Sequence, residues 1–171
     1  MRHHFYLLLL VLVALLSACS DVQKITLYAG PDQFNARQLG KPSTHGAFAA
    51  ALEITKFNNP GKWPTAAYVG FFQGKNRDDS VQFLVIRNQP TDNYLVAGYR
   101  IVEGGREVKA ESLGKVHLTA NVSLRMSIEN GLVTLNFLTD PPISFQTSLK
   151  EVAPYASVSS GIANILFRVG P

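Results

Sequence analysis

An all-β sandwich is the fold class this sequence predicts, on three observations. Val116, Leu118, Ala120, Val122, Leu124, Met126 and Ile128 occupy every second position, the period of β structure with one buried face. Asn130-Gly131 follows, supplying the positive φ angles that a two-residue type I′ hairpin turn demands. No segment shows convincing helical periodicity or a repeat of solenoid length, while turn-forming residues interrupt the chain at short intervals.

The first strand is expected at 24–28, where Ile25 and Leu27 alternate with polar residues, and a loop rich in Gly, Pro and polar residues at 30–46. Strands are expected at 48–57 and 65–73, divided by the turn Asn58-Asn59-Pro60-Gly61. The polar stretch 74–80 reads as a hairpin loop. Residues 81–87 and 94–103 are rich in β-branched and aromatic residues, with a turn at 89–93 between them, and Gly104-Gly105 turns the chain into a strand at 107–113. The alternating stretch 116–128 follows, then the strand after Asn130-Gly131. Pro141-Pro142 ends that hairpin, and further strands are expected at 143–149 and 162–169.

Turn chemistry and apolar pattern fix the hairpin register independently. If Glu129 faces Leu132, then Ile128 opposes Val133, Met126 opposes Leu135 and Leu124 opposes Phe137. Ser127 then meets Thr134, and Arg125 meets Asn136. All the large apolar residues fall on one face, and a slip of one residue would scramble that sorting.

Ahead of this domain stands a leader. Arg2, His3 and His4 precede an apolar run from 5 to 16, shorter than the roughly 20 residues that span a bilayer, and small residues follow before Cys19. The segment Leu16-Ser17-Ala18-Cys19 resembles the bacterial lipobox. That resemblance implies a signal peptide at 1–18, diacylglyceryl transfer to the Cys19 thiol, cleavage before it, and a lipidated tether at 19–23. Ser20 in place of aspartate implies the outer membrane, on its periplasmic side, in a Gram-negative envelope. Two or three chains make an anchor effectively permanent, since each buried methylene adds roughly 0.8 kcal/mol.

The remainder, 24–171, is sized for one domain. Cys19 is the only cysteine of the 171 residues, so its lipidation leaves no disulfide and no thiolate metal site. The net charge of +4 falls to +3 when Arg2 leaves with the leader. It is spread along the chain, without the basic blocks of nucleic-acid binders.

Within all-β folds, several features resemble the concanavalin A-like jelly roll, including its laminin G-like and glucanase-like members. They are the Gly-aromatic strand Val69-Gly70-Phe71-Phe72, the polar loop after it, the long strands 81–87 and 94–103, the Ser127-Ile128-Glu129-Asn130-Gly131-Leu132-Val133-Thr134-Leu135 hairpin, and the closing segment 160–167. A lipocalin-like β-barrel is the alternative, but Trp63 sits in a Pro-flanked loop rather than a Gly-x-Trp start motif.

Candidate chemistry is sparse. Glycosidases place two carboxylates about 5 to 9.5 Å apart across the scissile bond. The Glu-x-Asp-x-x-Glu strand of jelly-roll glucanases is missing here. Glu107 and Glu111 come nearest, and with Lys109 between them on one expected face they read as a solvated strand. Asp78-Asp79-Ser80 offers few of the six to eight oxygens a calcium site needs. His45 and His117 lack neighbours at ligand spacing, and no nucleophile motif occurs. No catalytic residue, metal or cofactor is therefore expected. Aromatics remain, because sugar faces stack on rings: Trp63, Tyr99 and Arg100 are the candidate ligand contacts. The expected function is a non-catalytic, membrane-anchored binding domain, for glycan first. The alternatives are docking on an envelope protein partner or, less favoured, glycoside hydrolysis.

Overall fold

The computed structural model describes residues 22–58, 61–74, 78–137 and 141–170. The expected signal peptide and Cys19 lie outside these residues. The described residues form ten strands and no helix. They are β1 (Gln23–Gln38), β2 (His45–Phe57), β3 (Thr65–Gln73), β4 (Asp79–Arg87), β5 (Tyr94–Glu103), β6 (Arg106–His117), β7 (Val122–Glu129), β8 (Leu132–Asn136), β9 (Ile143–Gln146) and β10 (Ala153–Val169).

All neighbours pair antiparallel, in the order β6-β5-β4-β3-β10-β2-β7-β8-β9, with β1 also on β10. The key to the architecture is that β10 serves two layers. Its residues 153–159 pair with β3, and its residues 161–169 pair with β2. β1 follows it around the bend, residues 34–38 along the first half and 23–29 along the second. Two six-stranded layers result. Sheet I is β1-β10-β3-β4-β5-β6 and sheet II is β1-β10-β2-β7-β8-β9, a jelly-roll β-sandwich.

The bend is built from residues that tolerate it. Ser160 and Asp32 both adopt positive φ, 44° and 56°. Ser160 Oγ accepts the Asp32 N–H, and its carbonyl accepts the Asn58 N–H and the Thr65 hydroxyl. Gly161 admits no side chain, since a Cβ there would lie 2.6 Å from the Lys56 carbonyl oxygen.

Between the layers the alternating positions meet. Sheet I contributes Val69, Phe71, Val81, Phe83, Val85, Leu95 and Tyr99, and sheet II contributes Leu27, Phe48, Leu52, Leu124, Met126 and Ile165, all buried. Rings cross from layer to layer at Phe48–Phe71 (5.1 Å), Phe83–Phe137 (4.8 Å) and Tyr99–Phe145 (4.6 Å, stacked).

The Asn130-Gly131 hairpin has the predicted register, from Glu129 opposite Leu132 through Arg125 opposite Asn136. Both turn residues have positive φ. The ladder stops there, so Phe137 is buried beyond the strand rather than paired with Leu124.

Several boundaries differ from expectation. The stretch 116–128 is two strands, parted by a turn in which the His117 carbonyl accepts the Ala120 N–H. Most of the expected loop 30–46 is strand, because β1 runs on to Gln38 along β10, and β2 begins at His45. β4 starts at Asp79, inside the expected loop 74–80. β6 extends on both sides of 107–113, β9 ends at Gln146, and β10 begins nine residues before Ile162.

Candidate functional site

Each central strand of sheet I buries one set of alternate residues between the layers and turns the other set outward. Cross-strand rows on the outer face read Ser157–Tyr68–Leu84–Gly98–Ser112 and Tyr155–Gly70–Gln82–Arg100–Ala110. Each row holds one glycine, Gly98 or Gly70, which leaves room for a large neighbour to lie across it.

Arg100 is the centre of this arrangement. Its Nε donates to Gln82 Oε1 at 2.8 Å, while Gln82 Nε2 donates to Ser80 Oγ at 2.8 Å. The guanidinium carbon sits 4.8 Å over the Tyr68 ring, which also meets the tilted Phe34 ring at 6.1 Å. Glu107 stands 3.7 Å from Nη1. The guanidinium is thereby held in one orientation, and Arg100 borders a cleft of about 270 Å³ that is also lined by Leu84, Ile86, Val96 and Gly98. The Arg100 and Glu107 side chains are 28% and 50% exposed, so a donor fork and a carboxylate acceptor both remain within reach of a ligand.

Beside Tyr68 in its row, Ser157 is fully buried, and its Oγ is the one buried side-chain polar atom without a hydrogen-bond partner among the described residues. Native proteins leave few such groups, so this hydroxyl calls for a reason.

A β-bulge creates the Arg100–Glu107 pairing. Glu107 pairs with Val102 and Lys109 pairs with Ile101, so Val108 is the extra residue and the two charged side chains leave on opposite faces. The expectation that Glu107, Lys109 and Glu111 share a face is thus corrected. Glu107 joins Arg100 outside, while Lys109 and Glu111 pair at 2.8 Å on the core side. Both glutamates border the cleft beside Arg100, but their side chains leave β6 on opposite faces.

The three expected ligand contacts are not brought together. Arg100 lies on the outer face. Tyr99, its neighbour, points to the core side, 1% exposed and stacked on Phe145, with Lys109 over both rings. Burial pushes the Tyr99 hydroxyl above its ordinary pKa. The Lys109 ammonium is raised by its hydrogen bond to Glu111, and the Glu111 carboxyl is lowered by the same bond. Trp63 is 49% exposed in the loop at the bend, where its backbone N–H donates to Asp32 Oδ1.

The other flagged residues serve turns. Asp79 accepts the Gly104 N–H and the Asp78 carbonyl accepts the Gly105 N–H, which fastens the β5–β6 hairpin. His117 Nδ1 accepts the Thr119 N–H, and His45 Nδ1 lies 3.3 Å from the Thr44 hydroxyl. Among the described residues no three His, Cys, Asp or Glu side chains cluster. Sequence reasoning passed over Tyr68, Gln82 and Ser157. The available signal was polar residues at alternate positions of otherwise apolar strands, Gln82 within Val-Gln-Phe and Ser157 within Ala-Ser-Val.

Solved structures share this architecture. The carbohydrate-binding module CBM66 from Bacillus subtilis superposes with a TM-score of 0.55 at 11% identity, covering 87% of this chain and 89% of that one. The Caenorhabditis elegans galectin LEC-6 gives 0.52 at 11% identity, covering 84% and 95%. The polysaccharide lyase family 18 structure aly-SJ02 r-CATD gives 0.52 at 9% identity, covering 89% and 88%. At such identities the likeness is one of fold. No protein-family model and no curated protein matches the chain.

Proposed function

We propose that this protein is a lipid-anchored envelope protein whose sandwich binds glycan, without transforming it, in the cleft beside Arg100. The observation that carries the reading is the guanidinium and carboxylate held side by side above an apolar floor. Sugars present an apolar C–H face and hydroxyls that both donate and accept. A fixed donor fork next to an acceptor, over aliphatic side chains, suits that chemistry. Fold neighbours named as a carbohydrate-binding module and a galectin support the same reading. Lipidation of Cys19 supplies the tether, on the periplasmic side of an outer membrane.

A glycan array and a peptidoglycan pull-down test the binding. Retention is expected for the wild type, reduced about tenfold or more in Arg100→Ala, since charge-assisted hydrogen bonds contribute about 1.5 to 3 kcal/mol. Trp63→Ala, at the bend, is expected to keep it. A wild type retained on no glycan would overturn the reading. The anchor is tested by intact mass and membrane fractionation of the wild type beside Cys19→Ser.

A further inference from the structure

The outer face of sheet II holds a groove of about 540 Å³ that the glycan reading does not use. Its floor is small because Ala49, Ala51 and Ser123 occupy the outward positions of β2 and β7. Arg168 and Arg125 flank Ala49 in one cross-strand row, and Lys24 opens the next row, beside the exposed Leu166. Among the described residues none of these three cations has an ion-pair partner. The nearest acid on this face, Glu53, lies one row further along and accepts from Asn164.

The groove also lies where the chain comes in. Val22, exposed and apolar, is both the first described residue and part of the groove wall. Cys19 precedes it by three residues, a reach of at most about 10 Å in extended chain. An acyl group on Cys19 therefore brings headgroups to within about one Debye length of this face, about 8 Å at physiological salt.

We propose that the outer face of sheet II, from Val22 across Arg168 to Arg125, is the surface on which the tethered domain rests against an anionic phospholipid membrane. The proposal rests on the acylation of Cys19. The cations engage headgroup phosphates, Val22 and Leu166 meet the interface, and sheet I with its cleft is turned away from the bilayer. Each basic residue near an anionic surface favours contact about fivefold, so the three together favour it on the order of a hundredfold.

Ser123 and Ser112 are exposed on the outer faces of sheets II and I, which gives a direct test. The acylated protein carrying a fluorophore at Ser123→Cys or Ser112→Cys is reconstituted into vesicles whose headgroups bear a quencher. In anionic vesicles the probe at 123 is expected to be quenched about fivefold more than the probe at 112. That preference is expected to vanish in zwitterionic vesicles, in about 1 M salt, where the Debye length shrinks to about 3 Å, and in Arg125→Gln/Arg168→Gln. Equal quenching at the two positions on an acylated chain, or a preference untouched by charge removal, overturns the proposal and leaves the anchor standing. A chain whose mass shows no acyl group overturns both.

Discussion

The two outer faces of this sandwich differ in what stands at alternate positions. On β3 of sheet I the outward residues are Ala66, Tyr68, Gly70 and Phe72, and the strand is buried on both sides apart from its last residue. On β2 of sheet II the middle outward positions are Ala47, Ala49 and Ala51, and there the face stays open as a groove. The pleat is the same in both. Long side chains reaching over glycines close one outer face into a fixed polar and aromatic network, whereas methyl groups leave the other as a shallow trough edged by unpaired cations. A sandwich can thus build a structured binding cleft and an adaptable electrostatic surface from the same backbone.

The largest test of that difference is Gly70→Ala. A Cβ there would lie 2.0 Å from the Val81 carbonyl oxygen and 2.9 Å from Gln82 Cα, which is backbone that cannot step aside. A loss on the order of 4 kcal/mol or more is expected in urea denaturation, or no folded protein at all. Next comes Tyr68→Ala, which removes the ring beneath Arg100 at a site only 6% exposed and is expected to cost about 3 kcal/mol. Its counterpart Ala49→Leu, on the open face, is expected to stay within about 0.5 kcal/mol. Equal costs at the two positions would erase the contrast.

Ser157→Ala is expected to move stability the other way. Deleting a buried hydroxyl without a partner should raise the unfolding free energy by up to about 1 kcal/mol. Glycan retention is expected to be unchanged, because the hydroxyl is fully buried and does not line the cleft. A variant that unfolds at lower urea would show that the Oγ contributes a favourable contact.

The smallest effect is set by pH at the edge of sheet I. Glu111 is lowered, so its contribution is present above its unfolded value, about 4.3, and is lost as pH falls through the folded one. Lys109 is raised, so its contribution is present below about 10.4 and is lost as pH rises through its folded value. The Tm difference between wild type and Lys109→Met is expected to be flat from about pH 5 to 10 and to shrink beyond both ends. A difference that persists unchanged at pH 2 would show that packing over Tyr99, and not charge, is what Lys109 contributes.

Legibility in the sequence followed where the physics was local. The β7–β8 hairpin could be read residue by residue because Asn130-Gly131 and the apolar alternation fix the same register. β3 and β5 matched to the residue, since both are dense in apolar and aromatic side chains between clear turns. The second half of β1 could not be read. Residues 34–38 are almost wholly exposed at a sheet edge, and their strand character comes from pairing with residues more than a hundred positions away. The turn at 118–120 hid because Leu118 and Ala120 keep packing on the core, so the period of two survives the break. At the site, Arg100 was found by its chemistry, whereas its partner Glu107 depended on a bulge that no periodicity encodes.

The position of β10 sets the order in which the fold can be completed. It is the last strand in the chain, yet it lies against β1, β2 and β3 and is shared by both layers. β3 ends at Gln73 and its partner segment begins at Ala153. A chain cut before residue 153 would hold two incomplete sheets and no sandwich. Neither layer is complete until β10 has met β1, β2 and β3, so the first and last of the described strands together close the fold.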